Sequence, residues 1–176
     1  MKDINLFLIG MMGSWKSTVG CKLAEALEME FVDMDDAIEE MTEMKVAEIF
    51  REFGEKRFRE METAFFIEKA KKSGQIFSTG GGIVLEEENR KVLQNNGICF
   101  LLDASPQTLA DRIHNTTKRP LLTDNENLED TLQTIWNDRS DLYQDCAHQV
   151  IKTDELKPPE VLDKILKILE VPIADH

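Results

Sequence analysis

The segment Ile4-Asn5-Leu6-Phe7-Leu8-Ile9 runs directly into Gly10-Met11-Met12-Gly13-Ser14-Trp15-Lys16-Ser17-Thr18, and this junction decides the fold. The first six residues form a short, mostly apolar run of the kind that makes a buried strand. A helical pattern follows, with Val19, Leu23, Ala26 and Leu27 spaced to share one buried face. Strand, glycine-bearing loop and helix in that order are the setting of a phosphate-binding loop. Backbone N–H groups of Gly13, Ser14, Trp15, Lys16, Ser17 and Thr18, with the helix N-terminus behind them, would cradle a polyphosphate. Lys16 would reach the β- and γ-phosphates, and the Ser17 hydroxyl would hold Mg2+.

The pattern departs from its standard form at one position. Glycine normally precedes the lysine, and this chain has Trp15. A loop wrapped around phosphate needs unusual backbone angles, and a side chain held at positive φ costs on the order of 1–3 kcal/mol. Taken alone, the residues leave open a plain glycine turn with a solvated Lys16. Against that alternative, the macrodipole disfavours a lysine at the N-terminal end of a helix unless an anion sits there too.

Outward from the loop, short apolar runs alternate with segments of helical period, which predicts a parallel sheet covered by helices on both faces. The expected strands are 4–9, 30–33, 75–78, 98–103 and 149–153. Phe58, Met61, Phe65 and Phe66 mark one helical core face, and Leu132, Ile135, Trp136 and Tyr143 another. Ser105-Pro106 reads as an N-cap followed by proline at the first helical position, with a second helix start at Pro158-Pro159. The run Asp33 to Asp36 also reads as helix-capping, with Asp36 a candidate cap. Residues 115–127 lack apolar periodicity and, with His114, make a surface loop (114–127) long enough to act as a lid.

Length and charge narrow the function. A chain of 176 residues fits one domain, residues 1–176. A net charge of −13, with Lys71-Lys72 the longest basic run, argues against nucleic-acid or membrane-surface partners. An anionic substrate would then need its own basic pocket. Cys21, Cys99 and Cys146 have no metal-ligand spacing and read as reduced thiols. The sequence offers no signal peptide and no membrane-spanning run, so the expected location is the cytoplasm and the expected state a monomer. Asn115-Thr116-Thr117 matches a glycosylation acceptor, without meaning in that compartment. His114, His148 and His176 show no partner pattern for metal or nucleophilic chemistry and read as structural or solvated.

With the phosphate loop, five further clusters carry a resemblance. They are Phe31-Val32-Asp33-Met34-Asp35, Phe58-Arg59-Glu60-Met61-Glu62, Ser78-Thr79-Gly80-Gly81-Gly82, Arg119-Pro120-Leu121-Leu122 and Arg139-Ser140-Asp141-Leu142-Tyr143. In order and separation the chain resembles the shikimate kinase family over nearly its whole length. That resemblance implies a three-layer α/β P-loop NTPase fold of the nucleoside-monophosphate-kinase type, with a five-stranded parallel sheet. It also implies ATP-dependent phosphorylation of shikimate with Mg2+, in aromatic amino-acid biosynthesis.

The roles implied by the resemblance follow motif by motif. Asp35 would contact the substrate hydroxyl, and Asp33 would lie nearer the metal that Ser17 holds. Arg59 and Arg139 would grip the substrate carboxylate, a planar bidentate task that suits guanidinium. Gly80, Gly81 and Gly82 would bring backbone beside the substrate, Glu62 would support the substrate arginine, and the helical region about 34–62 would bind the substrate. Arg119 would swing over the phosphates as part of the lid. Arg112 would stack on adenine, and the segment Thr153-Asp154-Glu155-Leu156-Lys157-Pro158 would stand in the place of the family's adenine loop. Two alternatives stand beside this reading: a kinase for another small hydroxy acid such as gluconate, and a noncatalytic homologue whose ATP chemistry is impaired by Trp15.

Overall fold

The structure, a computed structural model, describes residues 3–113 and 127–170. Strands β1 (Asn5–Ile9), β2 (Glu30–Asp33), β3 (Gln75–Ser78), β4 (Gly97–Asp103) and β5 (Gln149–Lys152) form one sheet in the order β2-β3-β1-β4-β5. Every adjacent pair is parallel, with Phe7 of β1 opposite Phe77 on one side and Cys99 on the other. The five expected strands are all present, to within one residue at each end.

Central β1 is buried along its entire length, which is why it reads as a nearly continuous apolar run. Its successive side chains point to opposite faces. Phe7 and Ile9 join Phe66, Leu93, Leu109 and Leu132 on helices α3 (Val46–Lys69), α4 (Glu87–Asn95), α5 (Pro106–Arg112) and α6 (Leu128–Cys146). Leu6 and Leu8 join Val19, Leu23, Val161 and Ile165 on α1 (Lys16–Leu27) and α7 (Pro158–Glu170). The sheet is therefore the middle of three layers. Each such side chain contributes about 1.5–3 kcal/mol on burial, so β1 holds the C-terminal edge of the sheet firmly in place. Gly10 leaves that edge at φ 138°, where a Cβ would stand 2.5 Å from the Leu102 carbonyl oxygen. Only glycine allows the loop to start there.

Helix starts follow their local chemistry. Ser105 Oγ accepts a bond from the Thr108 N–H, with Pro106 opening α5, and α7 opens on Pro158. Helix α2 (Met34–Thr42) is capped by Asp33, whose Oδ1 accepts from the N–H groups of Asp35 and Asp36 at 3.2 and 3.4 Å. Asp36 is thus a recipient of the cap and not the cap itself. The stripe on α1 also differs from expectation. Val19, Gly20, Leu23 and Ala24 are buried and Ala26 is exposed. Gly20 explains the shift: a Cβ there would meet the Phe31 ring at 2.7 Å, so α1 leans its Gly20 side onto β2 and carries Ala26 outward. Helix α3 is broken at Gly54, which sits at φ 79° and ψ 166°.

Among the described residues no helix is long and apolar enough to cross a membrane. The lid segment, apart from Asn127, lies outside the described residues, and with it Arg119, His114 and the terminal His176.

Candidate active site

The turn after β1 has the backbone that an anion cradle needs. Gly13 and Trp15 both take positive φ, 80° and 69°, the left-handed steps that turn successive N–H groups toward one centre. Helix α1 begins at Lys16, and the Trp15 side chain makes no capping bond to its first N–H groups. The first N–H groups of α1 open on the turn as they do at any helix N-terminus. Lys16, 8% exposed, donates from Nζ to the carbonyl oxygens of Gly10 and Met11 at 2.9 and 2.8 Å, which folds it over the cradle.

Beside the cradle, Ser17 Oγ donates to Asp33 Oδ2 and lies 3.0 Å from Ser78 Oγ. The ends of β2 and β3 set this geometry, because Asp33 and Ser78 are register partners. A hydroxyl and a carboxylate oxygen together are hard ligands of the kind Mg2+ takes. No cluster of three or more His, Cys, Asp or Glu side chains that could hold a metal gathers among the described residues. Asp35 Oδ1 lies beside Gly80, 3.5 Å from where a Cβ would project. A cleft of about 450 Å3 joins these groups, lined by Gly13, Trp15, Lys16, Ser17, Thr18, Asp33, Asp35, Asp36, Ser78, Thr79, Gly80, Gly81 and Arg112.

Arg59, Gly82 and Arg139 stand behind that wall. Arg59 is 7% exposed and donates from Nη1 to Glu62 at 2.8 Å and from Nη2 to Glu55 at 3.1 Å. Its guanidinium also lies over the Phe58 ring, 5.2 Å from the centroid. Burial works to lower the Arg59 pKa, and Glu62 and Glu55 outweigh it, leaving the group above its usual value. Burial raises the Glu62 carboxyl in turn, and Arg59 only partly offsets this. Gly82 has no side chain because Arg59 fills the space: a Cβ would fall 2.3 Å from Cζ. From α6, Arg139 Nη1 donates to the Gly81 carbonyl at 3.1 Å, and the Tyr143 hydroxyl donates to the same oxygen. Burial pushes the Tyr143 phenol up to about 12, so it remains a neutral donor.

Trp15 packs against the α1/α7 side of the core, and the Arg112 Cζ sits 3.5 Å from its ring centroid. At that separation the guanidinium must lie flat on the indole, since an edge-on approach would drive a nitrogen into the ring. Arg112 is held further by bonds to Thr153 Oγ1 at 3.1 Å and Thr153 O at 2.6 Å. The left-handed backbone of Trp15 costs about 1–2 kcal/mol, and a partly desolvated cation–π stack returns about 0.5–2 kcal/mol. The two are of one size, which is how the loop tolerates the missing glycine.

Residues 12–170 match the family model described as Shikimate kinase. The chain belongs to the shikimate kinase family. It is 42% identical to a shikimate kinase of Thermodesulfovibrio yellowstonii over 94% of this chain and 95% of that one. A Vibrio campbellii shikimate kinase is 37% identical over 94% and 96%. Among solved structures, a shikimate kinase from Acinetobacter baumannii in complex with shikimate superposes with a TM-score of 0.92 at 34% identity, covering 98% of this chain and 97% of that one. A deoxyadenosine kinase from M. mycoides superposes with a TM-score of 0.60 at 16% identity over 94% and 98%. That likeness shows the fold alone, a P-loop kinase fold of the nucleoside-monophosphate-kinase type.

Of the residues singled out in the sequence, Gly13, Trp15, Lys16, Ser17, Thr18, Asp33, Asp35, Gly80, Gly81 and Arg112 line the cleft, whereas Ser14 is buried and does not. Arg59, Gly82 and Arg139 adjoin it from behind the glycine loop. Glu62, read as a support for Arg59, is bonded to it. Arg112 bonds to Thr153, the first residue of the segment that the resemblance sets in the place of the adenine loop. Three participants carried no role in the sequence reading: Ser78 beside Ser17, Glu55 beside Arg59, and the Tyr143 hydroxyl on Gly81. For Tyr143 a signal existed, because it stands four residues after Arg139 and thus on the same helix face. His148 is structural, accepting the Cys99 N–H at Nδ1.

Proposed function

We propose that this shikimate kinase family member transfers the γ-phosphoryl of ATP to the 3-hydroxyl of shikimate, giving shikimate 3-phosphate and ADP. The observation that carries the reading is the convergence of the phosphate cradle, the Asp33/Asp35 strand end and the glycine loop on one cleft, with two buried arginines directly behind that loop. The shikimate held by the Acinetobacter baumannii relative supports the same assignment.

The residues divide the work as follows. Loop amides from Gly13 to Thr18 and the Lys16 ammonium hold the β- and γ-phosphate oxygens. Ser17, with Asp33 close by, would hold Mg2+, which would supply charge neutralisation at those oxygens. Asp35 orients the 3-hydroxyl and takes its proton as the oxygen bonds to the γ-phosphorus and the bond to the ADP oxygen breaks. Arg59 and Arg139 fix the carboxylate end of the substrate. The bonds to Glu62 and Glu55 leave one N–H on each terminal nitrogen of Arg59 for that purpose. Gly80 to Gly82 lend backbone donors, Arg112 meets the adenine, and Arg119 in a 114–127 lid closes over the phosphates, excluding water as a competing acceptor. Residues 1–176 form one monomeric cytoplasmic domain in this reading, with 34–62 the substrate side and neither nucleic acid nor membrane as partner.

A coupled ADP-release assay with ATP, Mg2+ and shikimate, beside no-acceptor and gluconate arms and repeated with Trp15→Gly, tests it. Shikimate-dependent turnover is expected. Turnover with gluconate alone would move the substrate assignment. Two folded proteins that both release ADP no faster than the no-acceptor arm would favour a noncatalytic homologue.

A further inference from the structure

The loop's irregular residue forms part of the cleft wall together with Arg112. The indole seats on the α1/α7 core on one side and carries the Arg112 guanidinium at 3.5 Å. Two in-plane bonds, to Thr153 Oγ1 and Thr153 O, fix the edges of that guanidinium. A planar cation held flat on one face and bonded at its edge can move neither by tilting nor by sliding. Arg112 and Trp15 line the same cleft as Gly13, Lys16, Ser17 and Thr18 of the phosphate cradle. Planar cations stack on nucleobases as well as on aromatic side chains.

We propose that Trp15 is a positioning residue for the nucleotide base, its indole locking Arg112 flat so that the guanidinium stacks a purine ring on its other face. The residue that breaks the glycine pattern thus contributes base affinity in exchange for backbone freedom. This rests on the nucleotide reading above, and it assigns Trp15 a role separate from the phosphate-holding amides.

The test measures binding and so does not need turnover. Dissociation constants are taken by calorimetry for Mg-ADP and for Mg-tripolyphosphate, which carries phosphates and no base, in the parent, Trp15→Leu, Trp15→Phe, Arg112→Leu and the Trp15→Leu/Arg112→Leu double variant. Leucine keeps a Cβ at the left-handed position and removes the ring. Expected is a loss of about tenfold in Mg-ADP affinity for Trp15→Leu, with tripolyphosphate affinity within twofold of parent. Trp15→Phe should recover most of the loss, and the double variant should be no worse than Arg112→Leu alone. Equal weakening of both ligands would place the effect in the phosphate loop and overturn the proposal, as would additive losses in the double variant. A parent that binds neither ligand would overturn the nucleotide reading as well, whereas a parent that binds both with an unchanged ratio in Trp15→Leu overturns this proposal only.

Discussion

The wholly buried Glu62 carboxylate accepts a hydrogen bond from Arg59 Nη1 at 2.8 Å, three residues back on the same face of α3. A buried pair of this kind is costly to break from one side, because the remaining charge has no compensation. Arg59→Met should therefore lower unfolding stability by about 3 kcal/mol in urea denaturation, and Arg59→Met/Glu62→Leu should regain most of it. The pH dependence has a definite sign. Glu62 already titrates above its ordinary value of 4.5 in the fold because of burial, and Arg59 is what lowers it. A raised folded value stabilises below the unfolded value and loses that contribution as pH rises through the folded one. The Arg59→Met deficit should accordingly grow from pH 4.5 toward pH 8, and a deficit flat across that range would refute the account.

Gly82 is closed to any side chain by Arg59, 2.3 Å from where its Cβ would be, and Gly80 by Glu62 Oε1 at 2.5 Å. Arginine tips usually swing aside at little cost, but this one is pinned by Glu62, Glu55 and the Phe58 ring. Gly82→Ala should displace the guanidinium and raise the KM for shikimate at least about tenfold, the equivalent of one 1.4 kcal/mol interaction. The KM for ATP should change less than threefold. Equal rises in both would mean that the glycine loop serves the phosphate side instead.

Tyr143 and Arg139 donate to one acceptor, the Gly81 carbonyl. Tyr143→Phe removes a single hydroxyl from a fully buried ring and leaves that carbonyl with one bond fewer. The stability loss should be about 1 kcal/mol, while the KM for shikimate rises several-fold because Arg139 and the loop lose their common anchor. A melting-temperature drop with unaltered KM would reduce Tyr143 to a core residue.

Much of this was legible in the sequence because periodicity and turn chemistry are local. The five strands, the Ser105 cap and the Pro158 helix start come from neighbouring residues alone, and the tertiary fold left them in place. Errors arose where a distant group decided. Ala26 lost its place on the buried face because Gly20 meets Phe31 across the α1/β2 junction, and Asp33 took the cap from Asp36 because β2 ends there. The site divides in the same way. Lys16 and Ser17 follow from motif spacing, whereas the Ser17–Ser78 contact spans 61 residues and no pattern in either segment announces the other; the Arg112–Thr153 bond spans 41, and only the family resemblance places those two segments at one ligand. The stack of Arg112 on Trp15 belongs to this second kind, since it depends on how α5 packs against the phosphate loop.

Glu30, at the start of edge strand β2, receives Lys72 at 2.5 Å and Lys69 at 3.2 Å, which tie the strand to the end of α3 and the turn after it. The hydrogen bond from Lys72, helped by Lys69 and opposed by partial burial, draws the Glu30 carboxyl from 4.5 down to about 2. All three side chains are more than a third exposed, at 38%, 68% and 38%, so solvent screening holds the whole cluster to about 1 kcal/mol or less. Because the folded value is depressed, this stabilisation is present above pH 4.5 and is lost as pH falls toward 2. Glu30→Gln should thus be less stable than the parent by up to about 1 kcal/mol at pH 7, by a margin that narrows steadily between pH 4.5 and 2 and shrinks again when 1 M salt shortens the screening length to about 3 Å. Urea denaturation of both proteins at pH 7, 4 and 2.5 checks this. A margin that held constant with pH would show that Glu30 contributes through packing, with the two lysines as bystanders.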